Sequence, residues 1–350
     1  MPQPLADSLD AGINDYIEGA MQGVRSDAVI EKSRLHLHRF QKFFEQRYGQ
    51  ERLSSWVKRD VVAWQQSLEG HGLAPATINS HMASLSAFAT WLEAHHPRLL
   101  SMGDPTKGIG ELNLGPLEPR SLNETQVQSL KNLCDRLVPY YRVKGRQWSK
   151  SVEDIPLGAK ARPWRDRAIV FVLLSTGLRR EELTKLDLNQ IRPNQPTELR
   201  RVRRARIHSV FGKGKSQRDV FLSQDARQAL ADYLEKEHSY DASGLEELPL
   251  FLSAIEVASR QADGRLAPRS INHILEHIGK WHDAEIDDKA RHISPLRPHD
   301  LRHTFAFLLA QVTRADSYEL ERRLGHRSQR YIQRYTNPPE DVAATYIEKF

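Results

Sequence analysis

The chain has 350 residues, a formal charge of +6 at pH 7 and one cysteine, Cys134. A single cysteine excludes an internal disulfide, which suits a reducing cytosol, and no apolar run approaches the roughly 20 residues of a membrane-spanning helix. The basic balance favours a polyanionic partner, most simply nucleic acid, and a prior of roughly 150 residues per domain predicts two domains.

The first part of the chain is predicted to form a compact bundle of amphipathic helices. Apolar residues recur there at helical spacing, and the loops between the periodic stretches are short. Ser26 is a candidate cap for the second helix. The predicted helices cover residues 8–22, 26–48, 58–69 and about 75–92. The apolar residues of the third helix are Val61, Val62, Trp64 and Leu68.

A proline- and glycine-rich stretch follows the bundle and is typical of a linker. The sequence Ser121-Leu122-Asn123-Glu124 then predicts a capping box at the start of a new helix. We therefore divide the chain into an N-terminal helical domain at 1–96, a linker at 97–120 and a C-terminal domain at 121–350.

The C-terminal domain is predicted to combine helices with a β-hairpin. Residues 142–165 are basic, contain two tryptophans and lack a clear period; they could dock on DNA or a partner, or form a surface insertion. Residues 204–211 and 217–223 alternate in polarity around Gly212-Lys213-Gly214-Lys215, which predicts two strands and their turn. Helices are predicted at 224–236, at 270–282, from about Arg297, near 328–336 and at 339–350. The predicted fold class is mainly α with a small antiparallel β-sheet.

Charged side chains around two predicted helix starts form a candidate phosphate-binding site. Arg179 begins one helix, and His299 and Arg302 lie three residues apart on one face of another. Both arginines can donate forked hydrogen bonds to phosphate, and His299 can serve as a general base or hydrogen-bonding partner. Glu182, one turn after Arg179, could orient a site residue or simply favour the helix N-terminus. Arg180 is either exposed or phosphate-facing.

A hydroxyl nucleophile is available near the C-terminal end of the sequence. Tyr331 and Tyr335 lie one helical turn apart, so both could project from the same face. A tyrosine has an unperturbed pKa of about 10 and must lose its proton when it attacks. Residue chemistry alone leaves the choice between the two tyrosines open.

Five arginines crowd the approach to the predicted hairpin. So many guanidinium groups in seven residues exceed what a solvated surface needs, and we favour phosphate contact. They are Arg200, Arg201, Arg203, Arg204 and Arg206. Arg180 and Lys215 are further candidates for DNA contact.

In these residues the chain resembles the tyrosine recombinase family, also called the phage integrase family, with Xer-like members. A Thr-Gly-Leu turn precedes Arg179, and a His-x-x-Arg box supplies His299 and Arg302. A Leu-Gly-His box ends at His326, and Tyr335 follows nine residues later. The boxes occur in the family's order and spacing, and the resemblance covers nearly the whole chain.

The resemblance implies a role for each of these residues. Tyr335 would be the nucleophile, and His326 would hydrogen-bond to the scissile phosphate. Lys213 in the hairpin turn matches the family's general acid for the 5′ oxygen, and Lys215 competes for that role. The activity implied is site-specific recombination through a covalent 3′-phosphotyrosine link, without metal, ATP or another cofactor.

The resemblance also implies partners. The helical N-terminal domain would be the core-binding domain, and the mixed α/β domain the catalytic domain. Double-stranded DNA with inverted half-sites would be bound by a tetramer on two duplexes, assembled through the tail at 339–350. An accessory directionality factor is a further expected partner, a membrane is not, and the expected location is the cytoplasm, on the nucleoid when DNA is bound.

Two other interpretations remain at this point. A type IB topoisomerase shares the chemistry but relaxes supercoils, and a DNA-binding regulator keeps the fold without cutting. The helical N-terminal bundle and the chain beyond Tyr335 favour recombination over relaxation. The complete set of catalytic residue types argues against a regulator that does not cut.

Overall fold

A computed structural model describes residues 5–114, 120–143, 158–212, 216–314 and 316–325. The chain divides into two compact units, Met1–Leu117 (unit 1) and Glu118–Phe350 (unit 2), each with its own hydrophobic core. Within the described ranges, no helix is long and apolar enough to cross a membrane. The helices predicted near 328–336 and at 339–350 lie outside the described residues.

Unit 1 is a helical bundle, as the sequence predicts. Its main helices in the described part are α1 (Leu9–Tyr16), α2 (Asp27–Tyr48), α3 (Lys58–Gly70) and α4 (Pro75–His95), and a π-helical turn at Ile17–Met21 extends α1. Phe40, Trp56 and Phe88 are fully buried in its core. Two local predictions differ. Val62 lies on the exposed side of α3, and Ser26 stands at the N-cap of α2 without a side-chain capping hydrogen bond.

The first part of the predicted linker belongs to unit 1 and packs against its helices. Leu100 is buried in that core, and the Asp104 carboxylate accepts hydrogen bonds from both the amide and the hydroxyl of Thr106. Asn79 of α4 exchanges two 2.9 Å hydrogen bonds with the backbone of Leu112. This proline- and glycine-rich stretch therefore forms packed turns. Composition alone does not distinguish packed turns from a flexible linker.

Unit 2 is built around α7, which is apolar on nearly all sides. This helix contacts α5, α6, α10, α12, α13 and β3. The helices in the described part of unit 2 are α5 (Glu124–Cys134), α6 (Leu137–Val143), α7 (Pro163–Thr176), α8 (Arg180–Thr184), α9 (Pro196–Arg201), α10 (Gln224–Tyr233), α11 (Ser239–Asp241), α12 (Pro268–Ala284), α13 (Pro298–Val312) and α14 (Ser317–Leu324).

A small antiparallel sheet lies beside this helical core. In the described residues it has three strands in the order β1 (Ile191–Arg192), β2 (Ala205–Phe211) and β3 (Gln217–Leu222). Val210 pairs with Arg218, and the Gly212 amide donates to the Ser216 carbonyl at 2.7 Å, which closes the turn. The predicted hairpin and fold class are thus confirmed. The two residues of β1 are too few to show an alternating pattern.

The first helix of unit 2 begins two residues later than the predicted capping box. Asn123 is the N-cap: its side chain accepts from the Gln126 amide at 2.8 Å, and the Gln126 side chain accepts from the Asn123 amide at 3.1 Å. Asparagine caps as well as serine does, so the same four-residue pattern works from Asn123 rather than from Ser121.

The basic stretch predicted at 142–165 is anchored at its C-terminal end. Residues 144–157 lie outside the described residues, but Arg162 forms a buried ion pair with Asp241 at 2.6 Å. The Lys236 ammonium lies 3.5 Å from the centroid of the Trp164 ring. Trp164 belongs to α7 and packs against the core, so it is not part of an exposed docking loop.

Candidate active site

A tight turn after α7 places Arg179 at the N-cap of α8. Gly177 ends α7 with a φ of +59°, and its amide donates to the Leu173 carbonyl at 2.9 Å. A Cβ at this position would lie 2.3 Å from Cδ1 of Phe305 in α13. Only glycine therefore allows this backbone conformation together with the close approach of α13. The turn brings the start of α8 beside the helix that carries His299 and Arg302.

Glu182 fixes Arg179 in two ways. One carboxylate oxygen accepts from the Arg179 amide at 2.8 Å, and the other accepts from Nη1 of the same residue at 2.9 Å. The carboxylate thus satisfies the helix N-terminus and orients the side chain as well. The Arg179 side chain remains 27% exposed, so a phosphate could reach it.

Arg302 is almost completely buried, at 3% exposure. Its guanidinium donates to the backbone carbonyl of Gly177 and, at 2.7 Å, to that of Leu324. These contacts connect α13 with the end of α7 on one side and with the end of α14 on the other. The side chain is consequently held in one orientation before any DNA binds, which is the arrangement that preorganised charge stabilisation requires.

His299 lies in the first turn of α13 and is exposed. It lines a pocket of about 450 Å³ together with Arg180, Asn272 and other residues of unit 2. The Asp300 carboxylate accepts from the Arg297 amide at 2.9 Å, which caps the start of α13, and burial raises the pKa of this carboxyl. His299 and Arg180 therefore face one accessible cavity.

Arg218 on β3 is a site residue that the sequence analysis missed. It donates two hydrogen bonds to the Glu182 carboxylate, at 3.1 and 2.7 Å, and its side chain is only 9% exposed. Burial opposes ionisation of Glu182, yet Arg218, followed by Arg179, holds the pKa of that carboxyl below its usual value. A position in an alternating hairpin strand gives no signal for an ion pair with a residue 36 positions earlier.

The end of α14 is held from two sides. Gly325 ends the helix with a φ of +62°, and its amide donates to the Glu321 carbonyl at 2.8 Å. The carbonyl of Arg323 accepts from Nε of Arg218 at 3.0 Å, and the next carbonyl accepts from Arg302. Carbonyls in the last turn of a helix lack intrahelical partners, and two arginines supply them here.

The arginines near the hairpin do not share one environment. Arg200 donates to Asp232 at 2.8 Å and to Glu235 at 2.6 Å, so protein carboxylates already occupy it. Arg206 is exposed and lies 3.5 Å from Asp219. The remaining three, all exposed, are Arg201, Arg203 and Arg204. The predicted phosphate contact therefore fits Arg201, Arg203, Arg204 and Arg206 better than it fits Arg200.

Several predicted residues lie outside the part of the chain that the structure describes. These are Lys213, Lys215, His326, Tyr331 and Tyr335. Of the others, Arg302 contacts the turn that precedes Arg179, and His299 shares a pocket with the neighbouring Arg180. Within the described residues, no group of three or more His, Cys, Asp or Glu side chains could hold a metal ion.

Comparison with known proteins decides the family. Residues 149–341 match the family model described as the phage integrase family, which is more than half of the chain. The chain belongs to the phage integrase family. The range matched in this phage integrase family member contains every predicted catalytic position, from Arg179 to Tyr335.

Individual relatives agree with this membership. Tyrosine recombinase XerC of Neisseria meningitidis serogroup B is 26% identical over 344 residues, which cover 98% of this phage integrase family chain and 96% of that protein. Among solved structures, XerH site-specific recombinase in a post-cleavage complex with a palindromic difH substrate has a TM-score of 0.65 at 19% identity, covering 95% of this chain and 81% of that chain. The Tn1549 transposon integrase in complex with a circular intermediate DNA has a TM-score of 0.63 at 16% identity, covering 99% and 100%. The two structures confirm the fold.

Proposed function

We propose that this phage integrase family member is a site-specific recombinase that cuts and rejoins DNA through a covalent 3′-phosphotyrosine link. The observation that carries the proposal is the pair of fixed arginines around Gly177. Arg179 is held by Glu182, and Arg302 is held by the carbonyls of Gly177 and Leu324. Two oriented guanidinium groups suit the non-bridging oxygens of one phosphodiester.

The chemistry assigned to the site is an exchange of esters at phosphorus. The Tyr335 hydroxyl oxygen attacks the phosphorus, the bond to the 5′ oxygen breaks, and Lys213 gives that oxygen a proton. His299 accepts the tyrosine proton as general base, or hydrogen-bonds to the phosphate while the proton passes to solvent, and His326 donates a hydrogen bond to the phosphate. Arg179 and Arg302 stabilise the negative charge that grows on the non-bridging oxygens. A 5′ hydroxyl from another strand then reverses the steps, so the phosphate ester is conserved throughout and no ATP is required.

DNA binding and assembly form the next part of the proposal. Exposed arginines before and within β2 would contact the phosphate backbone, with the strong salt dependence that such contacts bring. Two inverted half-sites on each of two duplexes would collect four protomers, joined through the segment at 339–350. A directionality factor would bias the outcome toward integration or excision of a mobile element, or toward dimer resolution. We place the protein in the cytoplasm, on the nucleoid when DNA is bound.

A nicked suicide substrate tests the proposal. A half-site is first identified by binding selection from randomised duplexes. Copies of this half-site are then made, each with a nick close to one candidate phosphate, so that cleavage releases the short fragment that carries the 5′ hydroxyl. We expect an adduct that survives denaturation, with tyrosine on the 3′ phosphate and a free 5′ hydroxyl. Equal yield is expected in EDTA, since the charge on the phosphate is met by arginines.

The two rival functions give different results in matched assays. Relaxation of a supercoiled plasmid that lacks the selected site would identify a topoisomerase. Tight binding to the selected half-site without any adduct, at every nick position, would identify a regulator that does not cut. Strict dependence of the adduct on a divalent ion would overturn the proposed chemistry.

A further inference from the structure

One guanidinium, that of Arg218, forms hydrogen bonds with two other parts of the site at once. Its two terminal nitrogens bind the carboxylate of Glu182, which in turn holds Arg179. Its Nε donates to the carbonyl of Arg323, near the end of α14. With only 9% of its side chain exposed, Arg218 connects β3 with α8 and α14.

Gly212, where β2 leads into the hairpin turn, also lies against this guanidinium. Arg218 belongs to the strand that leaves that turn, and it pairs with Val210 on the strand that leads into it. A Cβ on Gly212 would lie 3.3 Å from Nη1 of Arg218. The residue directly before Lys213 therefore rests against the ion pair that orients Arg179.

Gly325, which directly precedes His326 in the sequence, lies against the same guanidinium. A Cβ on Gly325 would lie 3.0 Å from Nη1 and 3.3 Å from Cζ of Arg218. The left-handed backbone at Gly325 and the absence of a side chain there let the chain cross the guanidinium at close range. Gly212 and Gly325, each directly before a predicted catalytic residue, thus contact the same side chain.

The charge arrangement explains why an arginine is needed at this position. Glu182 lies between two guanidinium groups, and a buried carboxylate without enough positive charge nearby is costly. If Arg218 were absent, Glu182 would be neutralised by Arg179 alone, and less of that charge would remain for a phosphate. A lysine keeps the charge but cannot form the fork and donate to the Arg323 carbonyl in the same geometry.

We propose that Arg218 is a positioning residue that sets the Lys213 hairpin and the end of α14 against Arg179. The proposal rests on the proposed function, because it concerns the alignment of residues assigned to cleavage. Arg218 touches neither DNA nor the reacting atoms in this scheme. It acts through Glu182, through the hairpin turn and through the last turn of α14.

Single-turnover cleavage by the full chain measures the effect. Arg218→Lys and Arg218→Ala are compared with wild type on the nicked half-site at saturating DNA, and Arg227→Lys is the matched control. Arg227 is a buried arginine that donates to the carbonyl of Leu222, at the opposite end of β3 from Arg218. We expect about a 10²-fold loss of rate in both Arg218 variants, the size that misplacement by about 1 Å produces, with half-site affinity nearly unchanged.

A substrate with sulfur at the 5′ bridging position adds a second measurement, the ratio of its cleavage rate to that of ordinary DNA. General destabilisation of the protein does not change this ratio. A thiolate leaves without a proton, so this substrate bypasses the lysine. We expect it to recover part of the loss in Arg218→Lys, because hairpin misplacement is one component of the defect. No recovery would refute the link between Arg218 and the hairpin.

Amide hydrogen exchange tests the coupling without relying on activity. We expect faster exchange in the Arg218 variants at the amides of Arg179, Gly212 and Gly325, and unchanged exchange at the amides of α10. In Arg227→Lys, exchange at the amides of Arg179, Gly212 and Gly325 should equal that of wild type. Wild-type exchange and wild-type cleavage in Arg218→Lys would overturn the proposal. A uniform rise across unit 2 would overturn it too, since Arg218 would then be a general core residue. If Arg218→Ala fails to fold, the result for Arg218→Lys decides whether Arg218 is a positioning residue. If the wild-type protein forms no adduct, the proposed function is wrong, and the exchange data still show whether Arg218 couples these segments.

Discussion

Arg302 donates a hydrogen bond from Nη2 to the carbonyl oxygen of Leu324 across 2.7 Å. Its second guanidinium contact, with Gly177, is also to a backbone carbonyl. Neutral acceptors orient the guanidinium in these two contacts without cancelling its charge, whereas Arg179 is oriented by the carboxylate of Glu182. In these contacts the backbone orients Arg302, while a charged group orients Arg179.

Arg302→Lys should reduce the cleavage rate by about 10²–10³-fold, the typical effect of removing one preorganised donor. Half-site affinity should change little, because most binding free energy comes from phosphate contacts elsewhere. Leaving a buried carbonyl without its donor should also cost about 1–3 kcal/mol of stability. Single-turnover kinetics and urea unfolding measure the two effects, with exposed Arg291→Lys as the control. Normal cleavage by Arg302→Lys would remove Arg302 from the phosphate site.

Tyr335→Phe should abolish the covalent adduct and leave half-site binding nearly intact, because only the hydroxyl is lost. Tyr331→Phe is the matched control, one helical turn earlier in the sequence, and should form the adduct at the wild-type rate. Denaturing gels with end-labelled suicide substrate measure both variants. An adduct that disappears only in Tyr331→Phe would reverse the assignment.

Lys213→Ala should lose cleavage on ordinary DNA and regain it when sulfur replaces the 5′ bridging oxygen, because a thiolate leaves without a proton. Lys215→Ala removes the same charge two residues later and should show no such substrate preference. The ratio of the two rates for each variant is the measurement. Selective recovery of Lys215→Ala would exchange the roles of the two lysines.

Regular periodicity made the helices and the hairpin predictable, because each buried face repeats along a single element. Contacts between distant elements left no such trace. Arg200 resembled its neighbours in sequence, yet its partners Asp232 and Glu235 lie more than 30 positions away. Arg218 was missed for the same reason, since an alternating strand does not reveal what faces it. The residues of the family motifs could be predicted because family spacing, unlike composition, identifies individual positions.

Gly177→Ala should destabilise the protein by at least about 1–3 kcal/mol, because it combines a left-handed backbone with a Cβ that would lie 2.3 Å from Phe305. The shift needed to relieve that contact would move α13 and with it Arg302, so cleavage should fall as well. Gly158→Ala is the control, since nothing lies within 4 Å of a Cβ there. Thermal unfolding of the two variants gives the comparison, and equal stability would contradict this account of the turn.

Deletion of residues 339–350 should leave a single protomer bound to a half-site but prevent higher complexes and strand exchange. The spacing of Val342, Ala343, Tyr346, Ile347 and Phe350 in the sequence predicts one apolar helical stripe, and so short a helix is not stable alone in water. Gel shifts on one and two half-sites measure assembly, with Val342→Ala/Ile347→Ala as a milder variant. A truncated protein with normal synaptic complexes and normal recombination would show that the tail does not join protomers.

The two arginines that hold the last turn of α14 also fix the point from which the chain runs to Tyr335, the proposed nucleophile. Tyr335 lies eleven positions after Leu324, and even a fully extended chain of that length spans at most about 36–40 Å. Any phosphate that Tyr335 attacks must therefore lie within this distance, plus the length of one tyrosine side chain, of the end of α14, whether it belongs to the same protomer's site or to a neighbour's. Strand exchange therefore requires that the scissile phosphate of each duplex lie within this distance of the end of α14.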